Sequence, residues 1–258
     1  MPYVDVGDAR LHVEVDGEGD PVTVLAHGLT NTCWELARIT PMIGGTKVRF
    51  CFRGHGHSTS PRAGYRFADF ARDVEQVASK YGATRAVGTS LGAGALCHIL
   101  ADRPDRFERL VFLLPAGLDR PFQHKDSFIR TAELLESKPR EEAIGAILSD
   151  PERMEVYVRR PWMREFDREM WDHADLLALA TAIREVVEDY PVPDRELLRR
   201  VEAPTMIICR EGDEIHLAEV GRILAGIMPN AELWSYPDDV ALFDALPQIM
   251  QRANALLA

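Results

Sequence analysis

The sequence predicts an α/β fold: a mostly parallel sheet with helices on both faces and a helical cap inserted late in the chain. Continuous apolar runs bounded by Gly or Pro alternate with helix-like segments in the first half. The same alternation resumes at residue 204, and residues 117–203 between the two halves contain no convincing strand.

The chain opens with two short alternating segments, near Tyr3 to Val6 and Arg10 to Val15, that predict a hairpin around GDA. VTVLAHG (22–28), KVRFCF (47–52), RAVGTS (85–90) and RLVFLLPA (109–116) read as strands buried on both faces. Helices are expected at about Trp34 to Met42, Phe67 to Lys80 and Leu91 to Asp102. After the insertion come a strand in PTMIICREGDE (204–214), a helix from Leu217 to Met228, the strand AELWSY (231–236) and a helix near Leu242 to Leu257. Within 117–203, the segments Ser127 to Ser137, Arg140 to Leu148 and Ala174 to Asp189 carry apolar residues at helical spacing, punctuated by prolines. The domain division is therefore a core of 1–116 plus 204–258, and a cap of 117–203.

A chain of 258 residues with 46% hydrophobic content fits one folded unit. Its net charge of −11 disfavours a nucleic-acid partner, which needs clustered Lys and Arg. No apolar run approaches the ~18 residues of a membrane helix, and the N-terminus lacks the pattern of a signal peptide, so a cytoplasmic location is expected. Cys33, Cys51, Cys97 and Cys209 have no CxxC pairing and read as buried free thiols rather than bridges or metal ligands. No metal or cofactor is expected, the partner is a small-molecule substrate, and the oligomeric state is left open.

The chemistry concentrates in GTSLGAG, 88–94. Ser90 follows a strand and precedes a helix of small residues; Gly88 and Gly92 flank it where side chains would clash across a sharp strand-to-helix turn. The helix start offers unpaired N–H groups and a positive dipole end to a developing oxyanion. HGLTNTCW (27–34) follows the strand VTVLA, and RGHGHS (53–58) and REGDEIH (210–216) complete an ordered set. This set resembles the α/β-hydrolase superfamily over essentially the whole chain. The resemblance implies the α/β-hydrolase fold, Ser90 as nucleophile, an oxyanion hole from the Leu29 and Leu91 N–H groups, Asp213 as the acid of a triad, and His27 and His55 in structural roles. One departure is Cys51, where the family commonly carries an acidic residue.

The base is harder to place. In related hydrolases it follows the last strand, but here that text is YPDDVALFDALP (236–247), and Val240 or Ala241 occupies the expected position. Asp238 and Asp239 are poor bases toward a serine hydroxyl. His216, three residues beyond Asp213, reads as the start or cap of the next helix. Three answers remain open: His57, His124 or His173 reaches in; the histidine was replaced in this chain; or the acyl-serine route is not used.

The cap residues Phe122, Phe128, Trp162, Met163, Phe166, Met170 and Trp171 predict a large apolar pocket for an aromatic or polycyclic ligand, with His27, Thr30 and His124 as further candidate contacts. Arg159, Arg160 and Arg164 could steer an anionic group but read first as a solvated helical face. Without a base, the expectation is an enzyme of secondary or catabolic metabolism acting on a small carbonyl compound by lyase, cyclase or addition chemistry. The alternatives are an ester, lactone or carbon-carbon bond hydrolase with its base supplied elsewhere, and a non-catalytic binder.

Overall fold

Strands at the centre of a sheet must bury both faces, which is why the runs VTVLA, RAVGT, RLVFL and TMIICR carry no charge except at their ends, while TKVRF, beside the antiparallel hairpin, holds Lys47 and Arg49. In the computed structural model, which describes residues 2–38 and 42–258, they form the middle of one eight-stranded sheet. The strands are β1 (Tyr3–Asp5), β2 (Arg10–Asp16), β3 (Val22–Ala26), β4 (Thr46–Phe50), β5 (Arg85–Thr89), β6 (Arg109–Leu113), β7 (Thr205–Arg210) and β8 (Ala231–Tyr236). Their order is β1-β2-β4-β3-β5-β6-β7-β8. The hairpin β1–β2 and the β2–β4 pair are antiparallel, and every other neighbouring pair is parallel.

Strand order reverses between β3 and β5, so the loops leaving their carboxyl ends diverge and open a crevice. Ser90 sits at that crevice. The helix before β5, α1 (Phe67–Tyr81), turns Phe67, Phe70, Val74 and Val77 onto the sheet and stops at Gly82, whose φ of 68° lets its N–H close on the carbonyls of Ala78 and Ser79. Helix α2 (Leu91–Asp102) is apolar nearly all round and is buried almost throughout.

Between β6 and β7 lie α3 (Asp126–Ser137), α4 (Arg140–Ile147), α5 (Pro151–Arg159), α6 (Trp162–Asp172) and α7 (Leu176–Val187), followed by a 3-10 turn at Arg195–Arg200. Of these, α5 and α6 were not expected from the sequence, because Pro151 and Pro161 punctuate this stretch and its aromatic residues were read as pocket lining rather than as a helical period. The layer has its own apolar core, including Ala132, Leu135, Ile144, Trp171, Leu179 and Ile183. It is tied to the sheet domain where Glu185 accepts the Tyr65 N–H at 2.9 Å and Asp189 accepts the Phe67 N–H at 2.8 Å. The last segments are α8 (Ala218–Ile227), α9 (Asp239–Asp244) and α10 (Leu246–Leu257), and Pro247 near the start of α10 separates the two final helices where one was expected. The helix expected at Trp34 to Met42 is a 3-10 turn over Glu35–Arg38, and positions 39–41 of that expectation lie outside the described residues. No helix among the described residues is long and apolar enough to cross a membrane.

One ion pair anchors the loop after β4. Arg53, fully buried, donates to the equally buried Asp73 of α1 at 2.7 Å and to the half-exposed Asp8 at 3.0 Å. Removing one partner strands the other charge in a dry environment. Asp73→Ala is expected to cost about 3 to 5 kcal/mol, measured as a shift in the urea unfolding midpoint; an unchanged midpoint would show that Asp8 alone satisfies Arg53.

Candidate active site

The turn at Ser90 is as tight as the flanking glycines require. Ser90 has φ 48° and ψ −107°, a strained conformation for a residue with a Cβ, held by its N–H to Leu113 O at 2.9 Å. A Cβ at Gly92 would stand 2.2 Å from the carbonyl oxygen of Ala26, and one at Gly88 would meet the backbone of Gly92 and Ala93 at 2.6 Å. Only glycine at both positions lets α2 begin directly against the end of β3. The hydroxyl is thereby presented at the mouth of the crevice.

His216 stands beside it. Its Nε2 lies 3.1 Å from the Ser90 Oγ, and its Nδ1 lies 3.0 Å from Asp213 Oδ2. The imidazole beside Ser90 therefore comes from His216, which the sequence assigned to a helix start, and not from the loop after β8, where Val240 and Ala241 offer no base. The physical reason is local. Asp213 follows Gly212, whose φ of 68° turns the chain, and Asp213 Oδ1 accepts the N–H groups of Ile215 and His216, each at 2.9 Å. The side chain thus folds its own turn and swings His216 back over the carboxylate toward Ser90. His216 precedes α8 rather than capping it.

Asp213 is buried, and burial by itself raises its pKa; the His216 hydrogen bond and charge, the backbone N–H groups and Arg210 outweigh that and hold the carboxyl well below the usual carboxylate range. Ionised Asp213 requires a proton on Nδ1, which leaves Nε2 free to accept one from Ser90. Arg210 reaches Asp213 Oδ2 at 2.7 Å and Asp239 at 3.1 Å. In the loop after β8, Asp238 accepts the Ala241 N–H at 2.8 Å and starts α9, so the segment that might have carried a base is a helix start, with Val240 on the wall of the cleft beside His216.

The loop after β3 begins next to the Ser90 turn, because Gly92 abuts Ala26 at the end of that strand. Among the described residues, no hydrogen bond is donated by the N–H groups of Leu29 and Leu91. Three side chains hold this loop. His27 is fully enclosed, donating from Nδ1 to Gly28 O at 2.7 Å and accepting the Phe52 N–H on Nε2 at 3.0 Å. His55 donates to Arg53 O at 2.8 Å and accepts the Thr30 N–H at 3.3 Å. Burial depresses both imidazoles, His55 to about 4 and His27 well below its ordinary value, where His55 adds to the effect, so each stays neutral and keeps one acceptor nitrogen. With both ring nitrogens engaged inside the protein, His27 is not a ligand contact as expected from sequence.

The third support is Glu35, which no motif signalled. It accepts the Gly28 N–H at 2.7 Å and the Asn31 amide at 2.7 Å.

A cleft of about 670 Å³ opens on His216. Its walls include His124, Arg130, Arg153, Arg159, Arg160 and Phe243. The expected aromatic lining is elsewhere. Trp171 is packed in the helical layer, Met163 is packed against that layer's core, and Trp162 is 44% exposed with its ring against Phe166. Alternation of charged and aromatic residues in 159–171 placed these side chains on the core and solvent sides of α6, a distinction that apolar content alone does not make. His57 and His173 stack on each other at 4.3 Å next to Trp34 and Cys51, away from Ser90. Of the earlier histidine candidates, only His124 reaches the cleft.

Burial, opposed by the Gly28 N–H and reinforced by Asp167, pushes the Glu35 carboxyl up to about 7. The folded protein then retains a proton that the unfolded chain releases near pH 4.5, so this group's contribution to stability declines as pH rises from about 4.5 to about 7. Relative to Glu35→Gln, which keeps an acceptor for Gly28, wild type is expected to lose stability between about pH 5 and about pH 8. Urea midpoints for both proteins at the two pH values check this; parallel behaviour would mean Glu35 is ionised throughout.

Residues 48–239 match the family model of the alpha/beta hydrolase fold. A Synechocystis sp. protein named "Putative non-heme chloroperoxidase" is 26% identical over 245 residues, spanning 83% of each chain. A solved structure of a hydrolase from Pseudomonas aeruginosa PA01 is 25% identical with a TM-score of 0.79, covering 98% of this chain and 96% of that one. The enol-lactonase from Burkholderia xenovorans LB400 is 20% identical with a TM-score of 0.81 over 99% of both chains, and shares the fold. A parallel sheet reversing at β3 and β5, a serine on the turn after β5 and a family match over most of the length agree: the chain belongs to the α/β-hydrolase fold family.

Proposed function

We propose that the protein is a serine hydrolase that cleaves a carboxylic ester or lactone of a small organic molecule. The observation that carries this reading is His216 bridging Ser90 and Asp213 at 3.1 and 3.0 Å. Non-hydrolytic chemistry was expected only because a base was missing, and that premise is gone. The similarity to a Pseudomonas aeruginosa hydrolase supports the same direction.

Ser90 Oγ attacks the carbonyl carbon while its proton passes to His216 Nε2. Charge develops on the carbonyl oxygen, where the N–H groups of Leu29 and Leu91 receive it; His27, His55 and Glu35 position that loop. Asp213 stabilises the imidazolium. As the tetrahedral species collapses, the carbon–oxygen bond to the leaving alcohol breaks, and His216 returns its proton to that oxygen. Water, deprotonated by His216 in turn, attacks the acyl-Ser90 ester and releases the acid and free Ser90. The cleft beside His216 has the size of a site for a small ligand. Four unpaired buried cysteines fit a reducing compartment.

The test is a fluorophosphonate probe together with p-nitrophenyl ester and lactone hydrolysis. Prompt labelling of wild type is expected, absent in Ser90→Ala and slowed in His216→Ala. Turnover is expected to fall about 10⁶-fold in either variant and about 10⁴-fold in Asp213→Asn. A His216→Ala protein that hydrolyses and labels at the wild-type rate would refute the assignment.

A further inference from the structure

Away from Ser90, three residues distant in sequence converge behind the loop after β3. His12 lies on β2, Cys33 follows β3, and Cys51 follows β4; all three are buried. The His12 Nδ1 is 4.0 Å from each sulfur, and the three donor atoms lie within 4.8 Å of one another. We propose that His12, Cys33 and Cys51 form a binding site for a thiophilic d10 cation, of which Zn2+ is the probe ion.

The donor set suits such an ion: two thiolates and one imidazole, the composition of a three-ligand zinc site with one open position. Zn–S bonds of about 2.3 Å and Zn–N bonds of about 2.0 Å put neighbouring ligand atoms roughly 3.5 to 3.8 Å apart, so the two sulfur–nitrogen distances need to close by only about half an ångström. Binding displaces the two thiol protons to solvent, and the resulting pair of thiolates neutralises a divalent charge.

The surroundings are arranged as a metal site requires. Nδ1 of His12 faces the sulfurs, while its Nε2 faces Glu14 Oε1 at 4.0 Å, the carboxylate–imidazole–ion order that orients a ligating histidine. Glu14 is itself held by the Trp34 indole N–H at 3.0 Å and by Arg49 at 3.0 Å. The Cys51 sulfur accepts the Cys33 N–H at 3.4 Å and also the N–H of His57. Trp34, His57 and His173 border a small recess next to Cys51. The spacing of 12, 33 and 51 along the chain hides this set, which is why the sequence predicted no metal ligands. A bound ion would clamp together β2, the end of β4 and the loop that carries Leu29.

The experiment uses reduced, chelator-treated full-length protein titrated with Co2+ and then Zn2+. One equivalent of Co2+ is expected to produce a sulfur-to-cobalt charge-transfer band that one equivalent of Zn2+ abolishes. The band is expected to be lost in Cys33→Ser and Cys51→Ser and retained in Cys97→Ser and Cys209→Ser. Zinc at about a hundredfold its Kd is expected to raise the thermal midpoint of wild type by about 5 °C or more and leave Cys51→Ser unmoved. Far-UV circular dichroism identifies any variant that fails to fold, and the wild-type titration stands without variants. Absence of the band in wild type overturns the proposal, as does a band that survives in folded Cys33→Ser and Cys51→Ser.

Discussion

The carboxylate of Asp213 organises the site. One oxygen takes two backbone N–H groups of the turn that follows, and the other meets His216 Nδ1 and Arg210. A residue that caps its own turn fixes where the third residue of that turn points, so acid and imidazole arrive together at the end of β7. Charge-assisted hydrogen bonds of this kind are short, directional and stronger than neutral ones. With the imidazole supplied there, the loop after β8 has no need to reach the crevice, and it begins a helix under Asp238.

The loop after β3 is held with comparable care by groups that stay inside the protein. His27 and His55 work as neutral donor–acceptor pairs, and Glu35 gathers Gly28 and Asn31. The buried Arg53–Asp73 pair fixes the chain from which His55 projects. The same loop runs on to Thr32, whose hydroxyl contacts Met170 of α6 at 3.2 Å, and to Cys33, whose sulfur faces His12. Position of the Leu29 N–H, packing of the helical layer and the His12–Cys33–Cys51 cluster are therefore linked through one short stretch of backbone.

Much of this is legible in the sequence. Short continuous apolar runs bounded by Gly or Pro fit strands buried on both faces, and a serine between two glycines at a strand-to-helix junction fits a tight turn. Asp213 stood in the loop after β7. The helical layer was read less well: α3, α4 and α7 were anticipated from the sequence, whereas α5 and α6 were not, and α6 turns its aromatic residues to the layer's core and to solvent rather than to the cleft. His216 was in view but was assigned to a helix start, because in one dimension a histidine three residues from an aspartate has no direction.

Sequence by itself determined the strand pattern, the glycine-flanked elbow, the absence of any histidine after residue 216 and the acid on its loop, since each depends on neighbours within a few residues. Tertiary structure alone decided which imidazole meets Ser90, because that contact joins residues 126 positions apart and is set by strand order and the φ of Gly212. It likewise brought together His12 of β2, Cys33 of the loop after β3 and Cys51 just after β4. Local physics writes itself into adjacent residues, but a site assembled across a sheet is specified only when the strands take their places.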